Sequence, residues 1–199
     1  MAKPPLAFQQ LATFLRKLPG VGTKTAERYA FALLDWDPTS LQNLSHSIGT
    51  FLQKMQKCSH CLCLKGDELC MFCDKPREDP NTLCIVASPK DIYPLEETGA
   101  FRGLYHVLEG LFSPIQGRHA CTIDIKRLRH RVEKHHITDI LLALDATLDG
   151  DATALLLKQE MQTWNVSLSR LAFGLPIGSA LEYTDPGTLA RALLGKHPF

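Results

Sequence analysis

Hydrophobic positions follow two different rhythms along the chain. Over residues 6–55 they recur at helical spacing. From residue 83 onward they come in short unbroken runs separated by amphipathic stretches. Leu6, Leu11, Phe14, Leu15 and Leu18 predict a helix over 6–17, stopped by Pro19-Gly20. Thr23, read as an N-cap, starts a second helix that buries Ala26, Tyr29, Ala30, Leu33 and Leu34. Asp37-Pro38 opens a third, with proline at the first helical position. Its stripe of Leu41, Leu44, Ile48, Phe51, Leu52 and Met55 is expected to be core.

In the second half, Leu83–Ala87, Leu104–Leu108, Asp139–Leu144 and Val166–Ala172 predict strands. Helices are expected from Ser88-Pro89-Lys90-Asp91 to Gly99, over 124–135 and over 152–163, with a loop at 109–121 containing Pro114 and Gly117. Strand alternating with helix implies a mainly parallel sheet with right-handed crossovers. A last helix is expected around Thr188–Leu194. Within the 124–135 helix, Ile125, Leu128 and Val132 point inward. Lys126, Arg127, Arg129, Arg131 and Lys134 form the outer face, which reads first as a solvated one.

Between the halves lies Cys58-x2-Cys61-x8-Cys70-x2-Cys73. Two such hooks can close tetrahedrally on one Zn²⁺. Four sulfurs fill the coordination sphere, so the site is structural rather than catalytic. A disulfide pair is the alternative, disfavoured because the remainder reads as cytosolic. The stretch is too short for a hydrophobic core, so metal binding would take its place. Cys63, Cys84 and Cys121 are left over; Cys84, inside an apolar run, reads as a small core residue. Lys54, Lys57, Lys65, Lys75 and Arg77 surround the cluster and would offset its negative charge.

Composition narrows the class. The chain has 199 residues, 45% hydrophobic and 22% charged, which fits a soluble globular protein of one or two domains. Its formal net charge is only +1, so any nucleic-acid contact must come from local patches. No apolar h-region follows Met1-Ala2-Lys3-Pro4-Pro5, and no apolar run reaches membrane-spanning length. A cytoplasmic location with no membrane contact is the expectation.

Leu18-Pro19-Gly20-Val21-Gly22-Thr23-Lys24-Thr25-Ala26 resembles the helix-hairpin-helix motif of sequence-independent DNA-binding proteins. The physics agrees. Gly20 and Gly22 permit a tight turn and close approach of backbone to a ligand. The turn feeds a helix N-terminus, whose free N–H groups favour an anion. Lys24 and Arg28 lie four apart on one face and can flank a phosphate run. Nothing here reads base edges, so binding should be sequence-independent. A corner using glycine for geometry alone is the bland alternative.

A further constellation, Asp145, Asp149 and Asp151, follows the clearest strand. In open α/β sheets the working edge lies at the carboxyl ends of the strands. Spacing alone divides evenly between Mg²⁺ ligation and a solvated acidic turn or helix cap. Element order and the Asp149-Gly150-Asp151 spacing resemble the Toprim domain of topoisomerases, primases and related nucleases. That resemblance implies an acidic residue at the end of the first strand, where this chain has Ala87. Alanine offers no oxygen, proton or charge, which argues against Mg²⁺ there and against phosphodiester chemistry.

The joint order of hairpin, cysteine quartet, Toprim-like domain and short tail resembles the RecR family of bacterial recombination mediators over essentially the full length. Ser88-Pro89-x-Asp91-Ile92-Tyr93, Thr147-x-Asp149-Gly150-Asp151-Ala152-Thr153 and Gly174-Leu175-Pro176-Ile177-Gly178 carry it alongside the hairpin and the cysteines. The resemblance implies an α+β multidomain protein. Its parts are a helix-hairpin-helix region over 1–57, a four-cysteine zinc finger over 58–80, a Toprim-like α/β domain over 81–173 and an oligomer-contacting tail over 174–199.

It implies a non-enzymatic role with no catalytic residue: DNA binding, and action with RecO and in some pathways RecF to help RecA displace single-strand-binding protein. Ring-like oligomers, often tetramers, are implied as well. Gly20, Gly22, Lys24 and Arg28 then become the DNA-contacting set, and Asp145, Asp149 and Asp151 a partner-docking or residual metal surface. The competing expectation is a Mg²⁺-dependent Toprim nuclease or topoisomerase-like enzyme, against which Ala87 stands.

Overall fold

A computed structural model of the chain describes residues 4–66, 69–113 and 123–196. The predicted loop positions Pro114 and Gly117, and Cys121, lie outside the described residues. The chain divides into two compact units, residues 1–54 and 55–199.

The first unit holds α1 (Leu6–Leu15), α2 (Thr23–Leu34) and α3 (Pro38–Lys54). The first helix ends two residues earlier than its pattern suggests. The chain tightens there, with Lys17 and Leu18 N–H groups donating to the carbonyls of Phe14 and Leu15. Leu18-Pro19-Gly20-Val21 then forms a β-turn closed by Val21 N–H to Leu18 O at 3.1 Å. Proline at the second position and Gly20 at φ +76° are what a type II turn requires. At α3, Asp37 Oδ1 accepts the Ser40 N–H at 3.0 Å with Pro38 at the first helical position, as expected.

Among the described residues the expected core of this unit is only partly covered, with Leu33, Leu41 and Leu44 half-buried. The small residues Ala12, Ala26 and Ala30 are buried, but α3 buries nothing. Ile48, Phe51 and Leu52 are 68%, 56% and 83% exposed, and Tyr29 and Leu34 of α2 are also exposed. Three amphipathic helices in one copy have too few facing surfaces to cover all their stripes. Phe8 and Phe31 do meet, with ring centroids 4.5 Å apart. Beside them an apolar groove of about 710 Å³, lined by Pro4, Leu11, Ala30 and Leu34 among others, is open.

The second unit begins with a two-stranded antiparallel hairpin, β1 (Gln56–Lys57) and β2 (Leu64–Lys65), which the sequence pattern does not suggest. A four-stranded parallel sheet follows, of β3 (Thr82–Val86), β4 (Leu104–Val107), β5 (Asp139–Ala143) and β6 (Ser167–Arg170) in spatial order β4-β3-β5-β6. Its helices are α4 (Ile92–Glu97), α5 (Ile125–Lys134), α6 (Leu148–Glu160) and, in the tail, α7 (Pro186–Leu194).

Strand alternation divides the apolar residues between two cores. Leu83 and Ile85 of β3 join Leu128 and Val132 of α5 and Leu157 of α6 in one core. Cys84 and Val86 join Tyr105, Val107, Ile92 and the cysteine knuckle in the other. The expected placement of Cys84 in a core is met: it is fully buried, and burial pushes its thiol pKa up to about 12.

Two helix starts differ from expectation. The pattern places the acidic turn ahead of a helix at Ala152, but α6 starts at Leu148. Thr147 is its N-cap, and its Oγ1 accepts the Gly150 N–H at 3.1 Å. Gly150 is obligatory, because a Cβ there would lie 2.0 Å from the Asp145 carbonyl oxygen. At α7, Asp185 caps the helix by accepting the Thr188 N–H at 3.0 Å, with Pro186 next.

Candidate nucleic-acid interface and metal centre

In the first unit the hairpin leads directly into α2. Gly22, not Thr23, is the N-cap: it is extended, at φ −78° and ψ 174°, and its carbonyl accepts the Ala26 N–H at 2.9 Å. Thr23 is already helical. No side chain caps this end, so its first N–H groups are free for an external acceptor. A Cβ on Gly20 or Gly22 would meet nothing within 4 Å. Gly20 is therefore needed for its positive φ, and Gly22 leaves the approach to the helix end clear. Lys24 and Arg28 are exposed one turn apart on α2, and neither is in an ion pair among the described residues. The hairpin thus has open backbone at Gly20 and Gly22 and a helix end without a side-chain cap, and the helix that follows carries two exposed cations, Lys24 and Arg28.

In the second unit the four predicted cysteines come together. The Sγ atoms of Cys58, Cys61, Cys70 and Cys73 all lie within 4.8 Å of one another. All four thiols are free, and Cys61 and Cys70 stand 3.6 Å apart, so no disulfide joins them. A tetrahedron with metal–sulfur bonds of 2.3 Å has edges of about 3.8 Å. The quartet therefore fits a four-sulfur metal centre and is compatible with a zinc finger. Cys63 is buried nearby but stands outside the group of four. Its backbone serves the turn: Cys63 O accepts the Cys58 N–H at 2.8 Å, and Leu62 N–H bonds Cys58 O at 3.0 Å. The second hook closes with Asp74 N–H on Cys70 O at 3.0 Å.

The knuckle is fixed to the outer edge of β4, where Val107 N–H donates to Cys61 O at 2.9 Å. An otherwise open strand edge is covered in this way. Phe72 packs edge-on against Tyr105 with centroids 5.5 Å apart, carrying the aromatic core up to the sulfurs. Arg77, expected to offset the cluster's charge, instead pairs with Glu96 at 2.6 Å and donates to Gly103 O at 2.8 Å. Lys57 pairs with Glu109.

The cation that reaches a sulfur is one expected on a solvated face. Arg131 is buried, and its Nη2 lies 3.4 Å from Cys73 Sγ and 3.1 Å from Tyr105 O. Its position three residues after Leu128 puts it on the inward face, and the knuckle and β4 each supply a polar partner that lets it stay there. A hydrogen bond with Cys61 and then the Arg131 guanidinium push the Cys73 thiol below its usual range. His106, buried beneath α5, is held neutral: burial first, then Arg131 and Arg127, push its pKa down to about 3.

The three acids do not converge. Among the described residues the cysteine quartet is the one group of three or more His, Cys, Asp or Glu placed to hold a metal. Asp145 is exposed just past β5, while Asp149 and Asp151 lie in the first turn of α6, where carboxylates suit the helix dipole. Asp151 is occupied. Arg170 at the end of β6 pairs with one of its oxygens at 2.7 Å, and Arg191 of α7 with the other at 2.8 Å. Both guanidiniums also pack on the Phe173 ring, at 4.6 and 4.7 Å. Asp151 thus joins the tail to the sheet, a role its spacing does not announce. Ala87, the residue after β3, is buried.

Family models match along the chain in the same order. One described as "RecR, helix-hairpin-helix" covers residues 8–52, one described as "Toprim domain" covers 81–172, and one described as "RecR, C-terminal" covers 174–197. Among curated relatives, "Recombination protein RecR" of Chlamydia caviae is 50% identical over 204 residues, spanning all of both chains. The protein of that name from Chlamydia felis is 49% identical over 201 residues, again all of both. That from Protochlamydia amoebophila is 47% identical over 195 residues, covering 98% of each.

Proposed function

The chain belongs to the RecR family of recombination proteins, and from that premise we propose that it is a non-enzymatic, DNA-binding mediator of recombinational repair in the cytoplasm. The observation that carries this reading is the hairpin: an uncapped α2 N-terminus behind open glycines, with unpaired Lys24 and Arg28 beside it. Such a surface grips phosphates and ignores sequence. The cysteine quartet holds a structural Zn²⁺, which organises a segment too short to fold on apolar burial.

Several copies, in a ring of four, place their hairpins around one DNA. That arrangement lets a chain of net charge +1 bind a polyanion. RecO-like and RecF-like proteins dock at the sheet edge near Asp145 and Asp149 and hand the strand to RecA in place of single-strand-binding protein. The tail from Gly174 contributes to subunit contact.

Two features weigh against the competing reading of a Mg²⁺-dependent nuclease or topoisomerase. Ala87 cannot ligate, and Asp151 is already neutralised by two arginines. Nicking or relaxation of plasmid by the pure protein with Mg²⁺, abolished by Asp149→Asn, would establish that reading instead.

Titrating DNA affinity against salt tests the proposal. Two phosphate contacts from each of four copies give a log–log slope of about −7 on duplex DNA. Lys24→Ala/Arg28→Ala should weaken binding uniformly across sequences and flatten the slope. Unchanged affinity and slope would remove the hairpin from the interface.

A further inference from the structure

A centre of one Zn²⁺ and four thiolates carries a net charge of about −2, and this one is largely shut off from water. Buried charge of that size needs a counter-charge or several hydrogen bonds. Backbone N–H groups supply part of this, from His60 to Cys58 Sγ at 3.4 Å and from Cys63 and Phe72 toward Cys61 and Cys70, but none of them carries a full charge. The cations nearest in sequence are engaged elsewhere, Lys57 with Glu109 and Arg77 with Glu96. Arg127 of α5 also reaches the knuckle, but it donates to the Ser59 carbonyl rather than to a sulfur.

Arg131 presents the complementary problem. It is a guanidinium 4% exposed, yet it pairs with no carboxylate among the described residues. Its Nη2 is shared between Cys73 Sγ and the Tyr105 carbonyl, and its Nε has no partner among the described residues. A buried guanidinium without an opposing anion is strongly destabilising. The anion it faces is the sulfur cluster.

We infer that Arg131, contributed by α5 from 58 residues further along the chain, is a constituent of the metal centre: the cation that offsets the thiolate charge and makes metal occupancy and the seating of α5 depend on each other. This rests on the zinc reading of the cysteine quartet. Arg131 does not ligate; it positions and neutralises Cys73. Groups hydrogen-bonded to metal ligands typically change affinity 10–100-fold when removed. The coupling also runs in reverse. With the metal gone, the four-thiolate charge that Arg131 faces is reduced, and α5 loses part of the reason to hold a guanidinium inside.

The test compares wild type, Arg131→Met, Arg131→Gln and Arg129→Ala as full-length proteins. Three quantities are read: Zn²⁺ affinity by chelator competition, the sulfur-to-metal charge-transfer band after Co²⁺ substitution, and amide exchange in α5 with and without metal. Arg131→Met should lose 10–100-fold in metal affinity and shift the band. Arg129→Ala, on the exposed face of the same helix, should change neither, and metal removal should raise α5 exchange in wild type. Arg131→Gln keeps a donor for the Tyr105 carbonyl but not the charge, so it decides the matter if Arg131→Met does not fold. Wild-type affinity and an unshifted band in Arg131→Gln would overturn the inference. A wild type that takes up no Zn²⁺ or Co²⁺ would instead overturn the zinc reading.

Discussion

The two units solve the problem of burial in opposite ways. The second unit covers both faces of its sheet. Leu83, Ile85 and Leu157 pack on one side, and Cys84, Val86 and Tyr105 on the other, all fully buried within one chain. The first unit buries alanines and leaves Ile48, Phe51 and Leu52 in the open. The difference teaches where each unit's stability comes from. One covers its sheet within the chain, although its tail leaves Ile177, Tyr183 and Leu194 exposed. The other leaves an apolar helix face exposed, and we propose that a further copy of the chain covers it, in addition to the tail contact, in the ring-like assembly proposed above.

The largest expected effect sharpens the self-contained side of that comparison. Cys58→Ser or Cys73→Ser removes a ligand from a site whose binding energy is folding energy, on the order of 10–16 kcal/mol in zinc-finger peptides. We expect lost Zn²⁺, rapid proteolysis around the knuckle and disturbed solubility or assembly. DNA affinity should fall only as a consequence of these. A soluble, normally assembled variant with selectively lost DNA binding would reverse the assignment.

Next is a direct contrast between the units. Leu157→Ala should cost about 2–5 kcal/mol in denaturant unfolding, independent of protein concentration. Leu52→Ala should cost stability only at protein concentrations where the wild type assembles, because the side chain it trims is already exposed within one chain. Equal, concentration-independent losses at both sites would break the comparison.

A smaller effect concerns pH. The folded pKa of His106, about 3, is depressed below its ordinary 6.5. The unfolded chain therefore binds the extra proton between those values, and stability falls as pH drops through that window by up to about 1.4 kcal/mol per unit. His106→Phe should flatten this slope in urea titrations at pH 4–6. The smallest effect is expected from Asp151→Asn. It loosens two half-exposed pairs worth about 1 kcal/mol or less each, so α7 should exchange faster while the melting midpoint hardly moves.

Legibility in the sequence follows how local the determining physics is. The runs at Leu83–Ala87 and Asp139–Leu144 announce their strands, because buried parallel strands are apolar throughout. The quartet announces a metal centre because its hook spacing is short-range. Arg131 is hidden because charge on a helix ordinarily means solvent, and its partner Cys73 lies far away in sequence. The role of Asp151 is hidden for the same reason: its two arginines sit beyond it, on β6 and α7. The α3 stripe is legible as apolar, but periodicity says nothing about which surface, or whose, will cover it.

The most direct test of the central claim is the solution mass of the 22.2 kDa chain, measured by light scattering over a concentration series with and without DNA. It should be run on wild type and on Phe51→Asp/Leu52→Glu. Wild type should run as a multimer that retains its size on DNA, and the double variant as smaller species with weakened DNA binding. A wild-type monomer binding DNA as tightly as the double variant would contradict the account.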